Sequence, residues 1–388
     1  MPTPLPAPGA ADLRPPDAVE VAVLSRGLVT AVAPPGGLTE TQRLLLRSVV
    51  VAMTGHAATL DGPAIGPERF AEQLGRRTLE FRTRIVQIMV LVGLVLRPLP
   101  EEVADRISTF AAELAVTEGM VGVARRFAEG SLGLAAFDFE RNGYTGGWGE
   151  ASSAALHTSG PLEAPWQDDP LDPALAGRWA ALEALPEGTL GRRVSDFYRA
   201  RGFAYPGRPG SAPPLLAQHD WVHVLADYGT TVEAELEVFA FIARANDDLR
   251  GFSLLAMVVS LFETGYLRTG AGLFEYSPGH LSERGMAERV ADAMRRGALC
   301  AGSVDFLATD WFSLAELSVE AARASFAVPP KSAEAVAAGS VGPWEPGGIS
   351  PFQLAAGAAA ADRDGRPYDA FGASVAPPAV EPGAGPPG

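Results

Sequence analysis

The hydrophobic and polar positions of this chain recur at helical spacing, and no long stretch shows the alternation of a half-buried strand. Helix-start signals are frequent between residues 38 and 142. Thr39-x-x-Gln42 forms a capping box, Pro67 suits a first helical position, and Pro100 precedes two glutamates. These signals predict an all-α fold, with roughly five helices in a domain of unknown role over 38–142.

The most apolar run extends from Ile85 to Leu96 and is closed by Arg97 and Pro98. A membrane-spanning helix needs about 20 apolar residues, which is more than this run provides. We therefore predict a buried core helix. A helix lying on a membrane surface is the alternative, but such a helix has a strong polar face that this run lacks.

Composition divides the rest of the chain. Residues 1–37 are rich in Pro and Ala, and residues 331–388 are rich in Ala, Gly and Pro, so we predict two disordered tails that bury too little apolar surface to fold. Residues 143–175 carry the turn-forming residues of a linker. Residues 176–330 remain as a second helical domain, a multi-helix bundle separate from the first.

The formal net charge of −15 argues against nucleic acid as a partner. Cys300 is the only cysteine, which excludes an intrachain disulfide and fits a reducing cytoplasm. The first residues lack the basic-then-apolar order of a signal peptide. We therefore expect a soluble cytoplasmic protein, with peripheral contact to the inner face of the membrane as the alternative, and a homo-oligomer.

The candidate chemistry lies in the pattern His219-Asp220-x-x-His223, followed after eleven residues by Glu235. On a helix, His219 and His223 are separated by about 40° of rotation, and Asp220 lies within the same arc. Imidazole and carboxylate ligands together suit zinc and related divalent metals. We predict a metal site with these four ligands, in which zinc is the first candidate and magnesium, manganese and iron are alternatives.

A tight helical hairpin brings the fourth ligand to the first three. We predict that Gly229 ends the first helix in a left-handed conformation and that Thr230 and Glu233 form the capping box of the next helix. His223 and Glu235 are then each about six residues from the turn, so they lie at nearly the same level. The hairpin therefore predicts an inter-helix metal site.

Other interpretations of this pattern remain open. A histidine pair at this spacing is more often a solvated or core face of a helix than a metal site. The pattern also resembles the His-Glu-x-x-His motif of zinc metallohydrolases, but in that motif the acidic residue stays off the metal to act as a base. A third alternative is a metal that only staples the hairpin of a structural binding module.

Beyond the motif, the chain resembles the Coq-four family of ubiquinone (coenzyme Q) biosynthesis proteins, whose signature is HDxxH, eleven residues and then E. The segment LPEGTLGRRVSDFYRARGF at 185–203 and the segment DWFSLAELSVEAARASFAVPP at 310–330 are similar to two further family segments. The resemblance covers about 180–330. This chain departs from the family pattern at Ala234, where glycine is usual, and lacks a proline before Leu314.

The resemblance implies an all-α fold, a metal near the head group of a polyprenyl ligand and an apolar cavity for the tail. It implies binding of a prenylated quinone precursor or isoprenoid lipid, and removal of the C1 carboxylate of a prenylated 4-hydroxybenzoate with oxygen introduced at that carbon. Family members are also described as scaffolds for other quinone-biosynthesis proteins.

Further residues are candidates for substrate binding, with no catalytic residue beyond the metal ligands. The apolar segment 252–267 is a candidate lining for a lipid-tail cavity, although core packing is an equal alternative. Four side chains are expected to flank the head group, the arginines as partners of a phosphate or carboxylate. They are Trp221, Tyr228, Arg192 and Arg193.

Overall fold

The computed structural model describes residues 16–117, 121–122, 172–245, 255, 283–300 and 304–373, except residues 55, 97, 98 and 213. This part of the chain is all-α, without strands. Its helices are α1 (Ala18–Val32), α2 (Glu40–Thr54), α3 (Pro67–Leu74), α4 (Leu79–Leu94), α5 (Glu101–Glu113), α6 (Pro173–Ala181), α7 (Leu190–Arg201), α8 (Pro214–Ala226), α9 (Val232–Ala245), α10 (Met286–Ala298), α11 (Val319–Ser325), α12 (Ala333–Ala337) and α13 (Pro351–Arg363).

The first helices follow the capping signals of the sequence. The Thr39 and Gln42 capping box is confirmed, because the backbone N–H of each residue bonds to the side chain of the other. Pro67 begins α3. The apolar run from Ile85 is a buried core helix, as predicted, since the residues from Ile85 to Val92 are buried in α4. Within the described residues, none of the helices has the length and apolar character that crossing a membrane requires.

The prediction of a disordered N-terminal tail is wrong for residues 18–32, which form α1. Asp17 accepts from the backbone N–H of Glu20, and Glu20 accepts in return from the N–H of Asp17, so a capping box starts the helix. Leu24 and Leu28 are buried in the core. The composition of this Pro- and Ala-rich region did not indicate the helix, because part of its apolar face consists of short Val and Ala side chains.

The prediction of a disordered C-terminal tail is likewise wrong for residues 332–373. Helix α13 packs on α7, and the Cβ of an alanine at Gly357 would lie 2.1 Å from the carbonyl oxygen of Ala200. The hydroxyl of Tyr368 donates to the same carbonyl at 2.8 Å. The Ala and Gly composition therefore reflects close helix packing here, where small side chains allow two backbones to approach.

The two predicted domains are not separate in the described residues. One hydrophobic core runs through α1–α5 and through α6–α11, and α10 packs on both α9 and α2. Arg84 in α4 also donates to the carbonyl of Ala243 in α9. Most of the predicted linker, residues 143–171, lies outside the described residues, as do 123–142 of the first domain. Residues 173–175 begin α6 rather than ending a linker.

Candidate metal centre

The site lies between α8 and α9, which are joined by residues 227–231. Helix α8 ends in a Schellman motif: Asp227 is left-handed, with φ 65°, and the N–H of Tyr228 bonds to the carbonyl of His223 at 3.0 Å. The prediction that Gly229 ends this helix is therefore wrong by two residues. Asparagine and aspartate adopt the left-handed conformation more readily than other non-glycine residues, which explains the earlier end.

Helix α9 begins one residue later than the predicted capping box requires. The hydroxyl of Thr231 accepts from the N–H of Ala234 at 3.4 Å, so Thr231 is the capping residue and the Thr230–Glu233 box is wrong. Thr230 instead makes tertiary hydrogen bonds, one of them from Arg201. The hairpin itself is as predicted, because α8 and α9 are in contact across this short turn.

Three of the four predicted ligands converge. His219 Nε2 lies 3.4 Å from Glu235 Oε2, and His223 Nε2 lies 3.4 Å from Glu235 Oε1. One ligand atom from each of the three residues falls within 4.8 Å of the others, and all three side chains are buried. The described residues contain no other group of this kind.

Hydrogen bonds at the far ring nitrogens orient both imidazoles. His219 Nδ1 contacts the carbonyl oxygen of Leu216, and His223 Nδ1 lies 3.3 Å from the carbonyl oxygen of Tyr228. A carbonyl at Nδ1 holds the proton there and leaves the Nε2 lone pair for a metal. Phe239 stacks on His219 with ring centroids 5.0 Å apart, which fixes the plane of that ring.

Asp220 lies at the edge of this group. Its Oδ1 is 3.5 Å from His219 Nε2, while its Oδ2 accepts a hydrogen bond from the Tyr198 hydroxyl at 2.5 Å. One carboxylate oxygen is thus oriented by α7, and the other faces the histidine. Oδ1 is the Asp220 oxygen that contacts one of the three converging residues.

Burial and neighbouring charges shift the pKa values of these groups in opposite directions. Burial lowers the pKa of His219, but the neighbouring Asp220 and Glu235 outweigh it and raise the pKa to about 9. Burial raises the pKa of Glu235, but the imidazoles of His223 and His219 outweigh it and lower the pKa to about 2. For Asp220 burial prevails over the imidazoles and raises the pKa. Glu235 is therefore ionised near neutral pH, and a metal bound at this site would have to displace a proton from His219.

The donor set fits a divalent metal. Two atoms that each lie about 2.0–2.1 Å from a tetrahedral zinc ion are separated by about 3.3–3.4 Å. Each histidine Nε2 has that separation, 3.4 Å, from one oxygen of Glu235: His219 from Oε2 and His223 from Oε1. His223 Nε2 is also buried without a hydrogen-bond partner. A buried nitrogen lone pair without a partner is unfavourable in a protein interior, and coordination to a metal satisfies it.

The two predicted aromatic flanking residues lie in the core beside the hairpin. Trp221 is fully buried and stacks on Trp311, with ring centroids 5.9 Å apart. The Tyr228 ring packs near Phe241 and the guanidinium of Arg296, and the backbone carbonyl of Tyr228 contacts a ligand candidate, His223. Within the described residues, the side chains of Trp221 and Tyr228 make no hydrogen bond or ring contact with His219, His223 or Glu235.

The two predicted arginines lie on α7 and contact other groups. Arg192 pairs with Asp196 at 3.0 Å and donates to the carbonyl of Glu183. Arg193 lies over the ring of Trp344, 3.9 Å from the centroid. In the part of the chain that the structure describes, neither forms a hydrogen bond or ion pair with a metal-ligand candidate, so their role in binding a head group stays a prediction.

Sequence reasoning missed Tyr198 and Arg201 in α7. Both are buried polar residues on a helix whose Val194 and Phe197 face the core. The sequence did contain a signal: Tyr198 and Arg201 each follow an apolar core position, Val194 and Phe197, by four residues, so they lie on the same face of the helix. A tyrosine or arginine on a core face is seldom buried without a hydrogen-bond partner. The candidate lining segment 252–267 lies outside the described residues except for Leu255, which is buried.

Comparisons with known proteins add one weak similarity. No protein-family model matches this chain, and no curated protein matches it. A crystal structure of a protein from Nostoc punctiforme PCC 73102, provisionally named a ubiquinone biosynthesis protein, is 20% identical to it, covers 64% of this chain and 97% of its own, and has a TM-score of 0.29. At that TM-score the similarity carries no argument about fold or function.

Proposed function

We propose that this chain binds one divalent metal ion through His219, His223 and Glu235, with Asp220 beside them. Zinc is the first candidate, and magnesium, manganese and iron are the alternatives. We also propose that the centre serves prenyl-quinone biosynthesis and binds a prenylated ring precursor. The resemblance of residues 180–330 to the Coq-four family supports this second part.

One observation carries the metal proposal. The buried Nε2 of His223 has no hydrogen-bond partner, although it lies 3.4 Å from an ionised carboxylate. The imidazole is oriented from behind by the carbonyl of Tyr228. A side chain held with its free nitrogen toward a carboxylate and a second imidazole has the arrangement of a metal ligand.

The proposed reaction breaks the bond between C1 and the carboxylate of a prenylated 4-hydroxybenzoate derivative, as a carbon–carbon lyase does. Carbon dioxide leaves, and C1 takes up either a proton or, with water and dioxygen as co-reactants, a hydroxyl group while dioxygen is reduced to hydrogen peroxide. A bound divalent ion supplies Lewis acidity toward a phenolate or carboxylate oxygen. The chain supplies the rest: Glu235 provides negative charge, the two histidines provide neutral nitrogen ligands, and Tyr198 holds one oxygen of Asp220.

A non-catalytic role is the alternative function. In it, the metal holds α8 to α9 and the chain organises other quinone-biosynthesis proteins or binds isoprenoid lipid. The number of protein ligands distinguishes the two functions: His219, His223 and Glu235 alone would leave a coordination position open, as in catalytic sites, whereas Asp220 as a fourth ligand would close the site, as in structural ones. Both functions require the metal and differ in whether the precursor is converted.

Elemental analysis tests the metal site. Wild-type protein, grown with zinc, manganese, iron and magnesium, should carry about one divalent metal per chain, since the donor set forms a single site. His219→Ala/His223→Ala should carry almost none. His56→Ala, which alters a histidine next to the Thr54 turn, is the control and should retain the metal. Equal, low metal content in the wild type and the double variant would contradict the proposal.

Quinone analysis in a deletion host separates the two functions. If the chain is a lyase, a host with the double variant should accumulate the prenylated carboxylate precursor although the protein is present at its normal level. Purified metal-loaded wild-type protein should then release carbon dioxide from that precursor. Precursor accumulation in that host, without carbon dioxide release by the purified metal-loaded protein, would refute the catalytic function and leave an organising role. Normal quinone synthesis with a folded, metal-free variant would refute both functions.

A further inference from the structure

A segment beyond the family-like region covers the turn of the metal hairpin. We call residues 341–353 the C-terminal strap. The N–H of Gly229 donates to the carbonyl of Val341 at 3.0 Å, and the N–H of Thr230 donates to the carbonyl of Gly348 at 2.9 Å. A Cβ at Gly229 would lie 2.8 Å from the Cα of Gly348. Two successive residues of the turn are therefore in backbone contact with the strap.

Arg201 joins the strap, the turn and α7. Its side chain is fully buried, and its Nε donates to the hydroxyl of Thr230 at 2.8 Å. Its Nη2 donates to the carbonyls of Pro343 and Gly348, each at 3.0 Å. The guanidinium lies over the ring of Phe197, 3.8 Å from its centroid. A planar fork with several fixed donors is suited to such a junction, whereas lysine would offer one point charge.

The same turn determines where two metal-ligand candidates lie. The carbonyl of Tyr228 accepts at His223 Nδ1, and the carbonyl of Thr231 accepts from the N–H of Glu235 at 2.9 Å. Phe197, which lies beneath Arg201, also stacks on His223 with ring centroids 5.5 Å apart. A change in the turn therefore moves the backbone partners of both ligands.

We propose that Arg201 and the C-terminal strap are positioning elements of the metal centre: they hold the turn in one conformation and thereby set the separation of His223 and Glu235. This inference rests on the proposed metal site. Metal ligands must be held within about 0.5 Å of their productive geometry, which a five-residue turn without tertiary support does not ensure. The strap supplies that support through Thr230 and Gly348.

Cobalt(II) is the probe, because its visible absorption reports both occupancy and coordination geometry. Thr230→Val removes the hydroxyl that Arg201 contacts at nearly constant volume, while Thr230→Ser keeps it. Thr230→Val should bind cobalt about tenfold more weakly, the lower range for loss of a supporting hydrogen bond, with altered visible bands. Thr230→Ser should restore the wild-type affinity and spectrum.

A second variant displaces the strap without changing the hairpin. A Cβ at Gly348 would lie 2.1 Å from the carbonyl oxygen of Gly342, so Gly348→Ala forces the strap to move. Gly177→Ala is the matched control, since a Cβ there meets nothing within 4 Å. Gly348→Ala should lower cobalt affinity and alter the visible bands, whereas Gly177→Ala should do neither. Circular dichroism shows whether each variant is folded. If either Thr230→Val or Gly348→Ala fails to fold, the cobalt affinity and spectrum of the other test the positioning role.

The outcomes separate the two proposals. If the wild type binds no cobalt, zinc or other divalent metal, the proposed metal site fails and the positioning role fails with it. If the wild type binds cobalt, and folded Thr230→Val and Gly348→Ala bind it with wild-type affinity and spectrum, the positioning role is wrong and the metal site stands.

Discussion

Two glutamates of α9, two positions apart, meet opposite environments. Glu237 is fully buried and accepts from Arg289 of α10 at 2.6 Å. Glu235 is also buried, yet its carboxylate oxygens lie 3.4 Å from His219 and His223. The two side chains point about 200° apart around the helix, so one lies against α10 and the other against α8.

The difference shows how each buried charge is balanced. A buried carboxylate is unfavourable unless a positive group is close. For Glu237 this group is Arg289, whose guanidinium is always charged. For Glu235 the balance comes from imidazoles, which can give up a proton. Only at Glu235 can an external divalent ion therefore replace the internal positive charge, and this distinguishes a candidate metal site from a structural ion pair.

Arginines from outside the hairpin also stabilise the end of α8. Arg296 donates to the carbonyl of Ala226, and Arg323 donates to the carbonyls of Leu225 and Val224. These carbonyls have no partners within the helix, and positive charge near a helix C-terminus is favourable. The carbonyls at the end of α8 are therefore satisfied by arginine side chains of the protein itself.

The largest expected effect concerns the ion pair. Glu237→Gln leaves Arg289 buried without a carboxylate, which should lower the free energy of unfolding by about 3 kcal/mol. Urea unfolding measures the loss, and elemental analysis of the folded protein should still find the metal. Replacing both partners, in Glu237→Gln/Arg289→Met, should recover part of the stability, because no unpaired charge remains. Loss of metal without loss of stability would reverse the assignment of the two glutamates.

The second effect concerns the metal. Glu235→Gln removes the ligand charge at nearly the same volume and should weaken metal binding by about a hundredfold, equivalent to about 2.8 kcal/mol. Glu233→Gln is the control: Glu233 lies in the first turn of α9, partly exposed, and its loss should leave affinity near that of the wild type. Competition with a chelator measures both affinities. Equal losses in the two variants would disprove the ligand assignment.

The sequence was sufficient for the hairpin but not for its boundaries. The spacing of His219, His223 and Glu235 predicts their convergence because helical periodicity fixes which residues share a face. The turn was misplaced because Asp227 and Gly229 both suit a left-handed position, and Thr230 and Thr231 both suit a cap. Tertiary hydrogen bonds to Thr230 decide between the two threonines, and no local pattern contains them.

The C-terminal region shows a second reason for failure. Composition predicts disorder for residues 331–388, since Ala and Gly bury little area. Gly357 packs against Ala200 and Thr230 bonds to Gly348, contacts between residues more than a hundred positions apart. Small residues are typical both of a flexible chain and of a close approach between two backbones. Only the segment that packs against them distinguishes these cases.

The smallest expected effect concerns Asp220, the third carboxylate of the comparison. Unlike Glu235, Asp220 has a hydroxyl donor, since Tyr198 donates to its Oδ2 at 2.5 Å. Tyr198→Phe frees Asp220 to rotate and should weaken metal binding by about tenfold, as for loss of other supporting hydrogen bonds. Tyr205→Phe is the matched control, because its hydroxyl contacts Ser195 at 2.8 Å and no ligand.

The two tyrosines lie side by side, with ring centroids 5.4 Å apart, so both substitutions disturb the same aromatic cluster. A general effect of that cluster would lower metal affinity equally in both variants. A difference confined to Tyr198→Phe, in chelator competition at unchanged helical content, places Asp220 in the metal's surroundings. If Tyr198→Phe and Tyr205→Phe bind the metal with equal affinity, the orientation of Asp220 does not affect binding. The proposed ligands would then be His219, His223 and Glu235 alone.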